Sequence, residues 1–123
     1  MLQPPPDPRA HLPESDWRLL RTVHDAALER YCAAVLAECE AEIRRDASAH
    51  ERYQRLFRLI ETRDRNIAAA FNDLRRSTAM LRLGSMIALD AVTDAELAQF
   101  TPSTRERVAI FASPPALKRP GRR

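Results

Sequence analysis

A chain of 123 residues, 45% hydrophobic and 30% charged, has room for one domain with a modest core and has the composition of a folded protein rather than a disordered one. Its net charge of +3 sits mainly at the C-terminus. Lys118, Arg119, Arg122 and Arg123 carry +4, whereas fifteen arginines and sixteen acidic residues leave 14–111 near −1. The longest apolar run, Tyr31 to Ala37, is seven residues with three alanines, far short of the ~20 that span a bilayer. Three consecutive prolines and Asp7 at the start are unlike a secretory signal, so a cytoplasmic location is expected.

Residues 1–13 read as a flexible lead. Pro4, Pro5, Pro6, Pro8 and Pro13 disfavour helix, and Leu12 is placed to pack beside the first helix. Ser15 is the expected N-cap of a helix running to about Arg45, with Asp16 favourable in its first turn. Trp17, Leu20, Ala27, Leu28, Tyr31, Cys32, Val35, Cys39 and Ile43 form its stripe at helical spacing. Cys32 and Cys39 lie about two turns apart, ~10 Å along one helix, too far to bridge each other. Burial on the packing face is the plain reading of both. A bridge across a symmetric dimer is the alternative.

Ser48 followed by Glu51 has the spacing of a capping box, so a second helix begins there and runs to about Phe71 or Asn72. Its stripe is Tyr53, Leu56, Phe57, Ile60, Ile67, Ala68 and Phe71. A link of two or three residues makes the two helices antiparallel neighbours, a long helical hairpin. Asn72-Asp73 signals a turn, and Asp73 is a candidate cap for a third helix over about Leu74 to Leu89. Met80, Leu81, Leu83, Met86, Ile87, Ala88 and Leu89 surround most of that helix, which marks it as central or externally covered. Gly84 and Ser85 weaken it and fit a close approach to a neighbour.

Thr93-Asp94-Ala95-Glu96 is a second capping box, opening a short helix to about Phe100. Thr101-Pro102 then starts a last helix, with proline at its first position and Val108, Ile110 and Phe111 as anchors. Ser113-Pro114-Pro115 closes the fold, and 112–123 reads as a disordered basic tail. The expected fold is all-α: a long antiparallel hairpin, a third apolar helix and two short C-terminal helices, with 14–111 as the helical domain.

The sequence offers little chemistry. His11, His24 and His50 stand in no metal-binding spacing with carboxylates, and the two cysteines lack the close spacing of a zinc pair. Two glycines, Gly84 and Gly121, do not make a phosphate loop. No catalytic, cofactor or metal residues are assigned, and no cofactor is expected. Asp64 falls in the second helix's stripe and Arg82 is the lone charge in the apolar part of the third, so the two are expected to form a partly buried ion pair that fixes register; the alternative is that both reach solvent, Arg82 by its long stem. Arg52, Arg55, Arg58 and Arg63 or Arg65 recur on the side of the second helix away from its stripe, followed by Arg75 and Arg76. With the tail charges they form a candidate nucleic-acid surface, although Glu51, Glu61 and Asp64 lie among them, Glu61–Arg65 has helix-pair spacing, and a solvated, salt-bridged face is the plainer reading. Trp17 and Tyr31 are not interleaved with these arginines, so no base-stacking platform shows.

The apolar surface of three helices exceeds what one copy is expected to cover. A twofold dimer is therefore expected, with Met80, Leu83, Met86, Ile87 and Leu89 as its interface. The functional expectation is a non-enzymatic protein–protein interaction or regulatory adaptor protein acting as a homodimer, with another protein as a possible further partner and no membrane role. A nucleic-acid-associated helical protein is the first alternative. An enzyme of unspecified reaction is the second.

Overall fold

The computed structural model describes residues 11–112 and is all-helical. It contains α1 (Glu14–Ile43), α2 (Ala49–Phe71), α3 (Ala79–Ala88), α4 (Asp94–Ala98) and α5 (Pro102–Ala112). The expected lead and tail beyond these bounds lie outside the described residues. Leu12, read as part of the lead, is buried in the core beside Trp17 and Leu20.

α1 and α2 are antiparallel in a steady register. Glu42 meets Arg55, Glu38 meets Arg63, and the Tyr31 hydroxyl accepts from Asn66 Nδ2 at 3.0 Å. At the far end of this ladder, His24 Nε2–H donates to the Phe71 carbonyl at 2.8 Å. The turn between the helices is short because Ser48 caps α2 as its spacing predicts, its hydroxyl accepting from Glu51 N at 3.1 Å. The N-cap of α1 differs from expectation: it is Pro13, without a side-chain cap, and Ser15 lies inside the helix. Asp16 is also more than a favourable charge near a helix start. Its buried carboxylate accepts from Thr101 N, Thr101 Oγ1 and Thr104 Oγ1 at 3.2, 2.6 and 2.5 Å. That carboxylate sits on the N-terminus of α5, where unpaired N–H groups and the helix dipole favour an anion, and ties the chain's two helical ends together.

α3 starts at Ala79, five residues later than the expected Leu74. The reason is Asp73, which takes a left-handed backbone (φ 58°) instead of capping a helix. Its carboxylate binds Arg75 Nε at 2.8 Å, and Thr78 Oγ1 closes the turn by donating to the Asp73 carbonyl at 2.6 Å. The helix ends in a Schellman turn: Asp90 is left-handed (φ 61°), Ala91 N donates to Met86 O and Asp90 N to Ile87 O. The Thr93–Glu96 capping box forms as the sequence predicts. Glu96 also grips Arg30 of α1 through two bonds of 3.0 Å, joining α4 to the hairpin.

The core lies at one end of the hairpin. Trp17, Leu20, Val23 and Ala27 of α1 meet Ala70 and Phe71 of α2, Ala79, Met80, Leu83 and Met86 of α3, and Phe100 and Val108. Here the expected interface is corrected. Met80, Leu83 and Met86 are 0% exposed, and Ile87 and Leu89 are partly buried against the same cluster. Most of the apolar circumference of α3 packs on α5, α2 and α1 of its own chain, so Met80, Leu83 and Met86 offer no surface to a second copy, while Leu81 stays 38% exposed. Leu83→Ala should therefore act as a core truncation, costing about 2–5 kcal/mol and lowering the melting temperature by roughly 10 °C or more. Thermal unfolding by circular dichroism checks this. A near-wild-type melt with altered self-association would return α3 to the surface.

Candidate interaction surface

Beyond the core, the hairpin projects as an arm only two helices thick, built from the C-terminal half of α1 and the N-terminal half of α2. The arm's sequence suggests that the two apolar stripes pack inward and the arginines face water. The structure turns α2 the other way.

Arg52 Nη1 donates to the Ile43 carbonyl at 2.7 Å and Arg52 Nε to the Ala47 carbonyl at 3.2 Å, covering the C-terminal end of α1, where unpaired carbonyls attract cations. Arg55 Nε meets Glu42 at 2.8 Å, and Arg63 binds both Glu38 oxygens at 3.0 and 2.9 Å. Leu59 sits half-buried between these arginines. With the arginines inward, the stripe moves outward: Tyr53, Phe57 and Ile60 are 66%, 54% and 48% exposed.

Leu36 and Ile43 of α1 are 65% and 51% exposed. Ile43, Tyr53 and Leu56 line one shallow groove with Ala49 and Arg52, so the outward residues of the two helices share one side of the arm. The hairpin register places Leu36 near the level of Ile60, and Cys39 near Phe57. Cys39 is buried and Cys32 half-buried, both as free thiols.

The ion pairs perturb their carboxylates. Hydrogen bonds first from Arg45 and then from Arg55 hold Glu42 down from the ordinary 4.5 to about 2. Arg63 lowers Glu38 in the same way, and Arg30 lowers Glu96.

The other candidate residues scatter. Arg75 pairs with Asp73. Arg76 pairs with Glu14 at 2.9 Å and lies 5.4 Å over the Trp17 ring. Arg58 is exposed, while Lys118, Arg119, Arg122 and Arg123 lie outside the described residues. Five of the expected nucleic-acid contacts, if Arg63 is included, are thus engaged within the fold, and they do not form one patch.

The expected Asp64–Arg82 pair does not form. Asp64 is exposed and has no ion-pair partner among the described residues. Arg82 instead turns back on the end of α2, donating to Asn72 O at 2.8 Å and Ala69 O at 3.2 Å, with Asp73 at 3.9 Å. The unpaired carbonyls of a helix C-terminus supply an acceptor site closer to Arg82 than the middle of α2 does.

Leu36 is the face residue that stripe reading misses, because Val35 beside it fits the inward side. The signal was present in charge. Glu42 precedes Ser48 by six residues and Arg55 follows it by seven, which sets these charged faces against each other and the apolar ones elsewhere. Among the described residues, no group of three or more His, Cys, Asp or Glu side chains is placed to hold a metal ion, and no helix is long and apolar enough to cross a membrane. No protein-family model, curated protein or solved structure matches the chain.

Two outcomes test this geometry. A carboxyl whose pKa is lowered on folding contributes stability above its unfolded pKa and loses it as pH falls through the folded value. Glu42 should therefore titrate near 2 by carbon-detected NMR, and the stability gap between wild type and Glu42→Gln should be full above about 4.5 and close as pH falls toward 2. A Glu42 midpoint above 4 would contradict its double arginine contact. Separately, Arg82→Ala should cost about 1–2 kcal/mol by exposing the carbonyls of α2, whereas Asp64→Ala should stay within about 0.5 kcal/mol in urea unfolding. Equal losses would restore a direct pair.

Proposed function

We propose that this chain is a small, non-enzymatic protein–protein interaction or regulatory adaptor protein that works as a homodimer. The observation that carries this reading is the apolar side of the arm: Leu36, Ile43, Tyr53, Phe57 and Ile60 stand outward from a two-helix projection while charged pairs occupy its inside.

Magnitudes support it. At their observed exposures these five side chains leave roughly 600 Å² of mostly apolar surface in water, whose full covering is worth at most about 15 kcal/mol. Half-exposed ion pairs contribute far less, so the arm has more to gain from a covering helix surface than from its own internal contacts. Scattered exposed hydrophobics need no explanation, but apolar residues gathered on one side of the arm, at the upper end of what a monomer carries, are often functional. A cytoplasmic location belongs to the same proposal, and the two unbridged thiols fit a reducing compartment.

Light scattering at low and high concentration tests the proposal. Wild type should hold near 28 kDa, twice the 14.0 kDa chain mass, and Phe57→Glu should fall to the monomer mass while keeping its helical circular dichroism, since Phe57 lies outside the core, with a lower melting temperature because the stabilisation from association is lost. A wild-type monomer at every concentration, or a Phe57→Glu variant that remains dimeric, would overturn the reading.

A further inference from the structure

Resting on the homodimer reading, we infer that the partner on the arm is a second arm laid antiparallel, so that two hairpins close into a four-helix bundle about a twofold axis level with Phe57 and Cys39. The spacing of the face carries the inference. Leu36 and Ile43 are seven residues apart on α1, and Tyr53 and Ile60 are seven apart on α2. The Glu42–Arg55 and Tyr31–Asn66 contacts set the register, and in that register the two midpoints lie at the same height to within about one residue, or ~1.5 Å. Phe57 stands at that height. Large apolar groups thus sit ~5 Å above and below a common centre on both helices.

A twofold axis crossing the arm there lays α1 over the partner's α1 and α2 over its α2. It brings Leu36 of one copy to the level of Ile43 in the other, and Tyr53 to the level of Ile60. A surface that coincides with itself under a half-turn is what an isologous contact requires.

Area and charge agree. Two such faces remove about 1,200 Å² from water before any rim contact is counted, the lower edge of stable specific interfaces. Asp64 extends the stripe Tyr53, Phe57, Ile60 by one more turn toward the base and is exposed. Seven residues from Phe57 on the opposite side is His50, also exposed at the tip. The antiparallel arrangement brings Asp64 to His50 of the other copy. A parallel one, with the axis along the arm, sets the two tips side by side and faces Asp64 with the other copy's α1 around Ala33, where no basic residue lies within two positions. Glu40 of the two copies would approach across the axis, but on the exposed rim, where water and salt screen like charges.

The test uses full-length protein with Cys32→Ser and Cys39→Ser, carrying either Glu40→Cys near the axis or Asp46→Cys at the tip. Both positions are exposed, and mass in solution is measured alongside disulfide formation under mild oxidation. The expected result is a dimer mass for both, with Glu40→Cys converted to covalent dimer at least tenfold faster than Asp46→Cys. Faster cross-linking at Asp46, or no difference between the positions, at dimer mass would overturn the antiparallel arm and leave the homodimer standing. Monomer mass in both variants and in their cysteine-free parent would overturn both.

Discussion

The rotation of α2 about its own axis is the constraint on which the rest of the molecule depends. Three arginines fix it: Arg52 on the carbonyl end of α1, Arg55 on Glu42 and Arg63 on Glu38. Each reaches inward across the hairpin. Because Tyr53, Phe57 and Ile60 lie about 100° around the helix from these arginines, satisfying the charges turns the stripe away from α1. Toward the base the same rotation has the opposite result: it brings Ala70 and Phe71 into the cluster around Leu20, Val23 and Ala27. One helix therefore serves a dry core at one end and an apolar outer surface at the other.

That division gives the chain two parts with different sources of stability. The base is self-sufficient. α3 and α5 close over the hairpin, Asp16 ties the start of α1 to the start of α5, and Arg82 and His24 cover the carbonyl end of α2. No buried side-chain polar atom among the described residues lacks a partner, as expected of a finished core. The arm has no third layer. Its two helices are held by half-exposed ion pairs and by Leu56 and Leu59, and a hairpin of this thickness becomes well packed only against other helices.

Much of this was legible in the sequence, and the failures share a cause. The capping signals at Ser48, Thr93 and Thr101-Pro102 located three helix starts because a cap is a local transaction between side chain and backbone. Element existence and the short hairpin link followed from periodicity alone. What periodicity does not contain is which neighbour a face meets. α3 is apolar nearly all round, and the sequence offers no means of telling a helix wrapped by its own chain from one awaiting a copy. Met80, Leu83 and Met86 proved to be the former. The stripe on α2 looked like a core stripe, yet its distal half faces out, because the complementary acids on α1 compete for the inside. Periodicity offers Arg82 a carboxylate partner, yet its reach also includes the carbonyls of a helix end. The position of Asp73 suits a cap, but Asp tolerates the left-handed backbone that stops a helix from starting there.

In the homodimer we propose, the arm becomes a finished structure only when its apolar side is covered by a second copy. Amide hydrogen exchange at two protein concentrations, a hundredfold apart and spanning the association range, tests it most directly. Protection of 49–60 in α2 and 32–43 in α1 should rise with concentration, while amides around Leu20, Leu83 and Val108 stay equally protected at both. Arm protection that is independent of concentration, at values matching the core, would show that the hairpin is complete within one chain and would contradict the account.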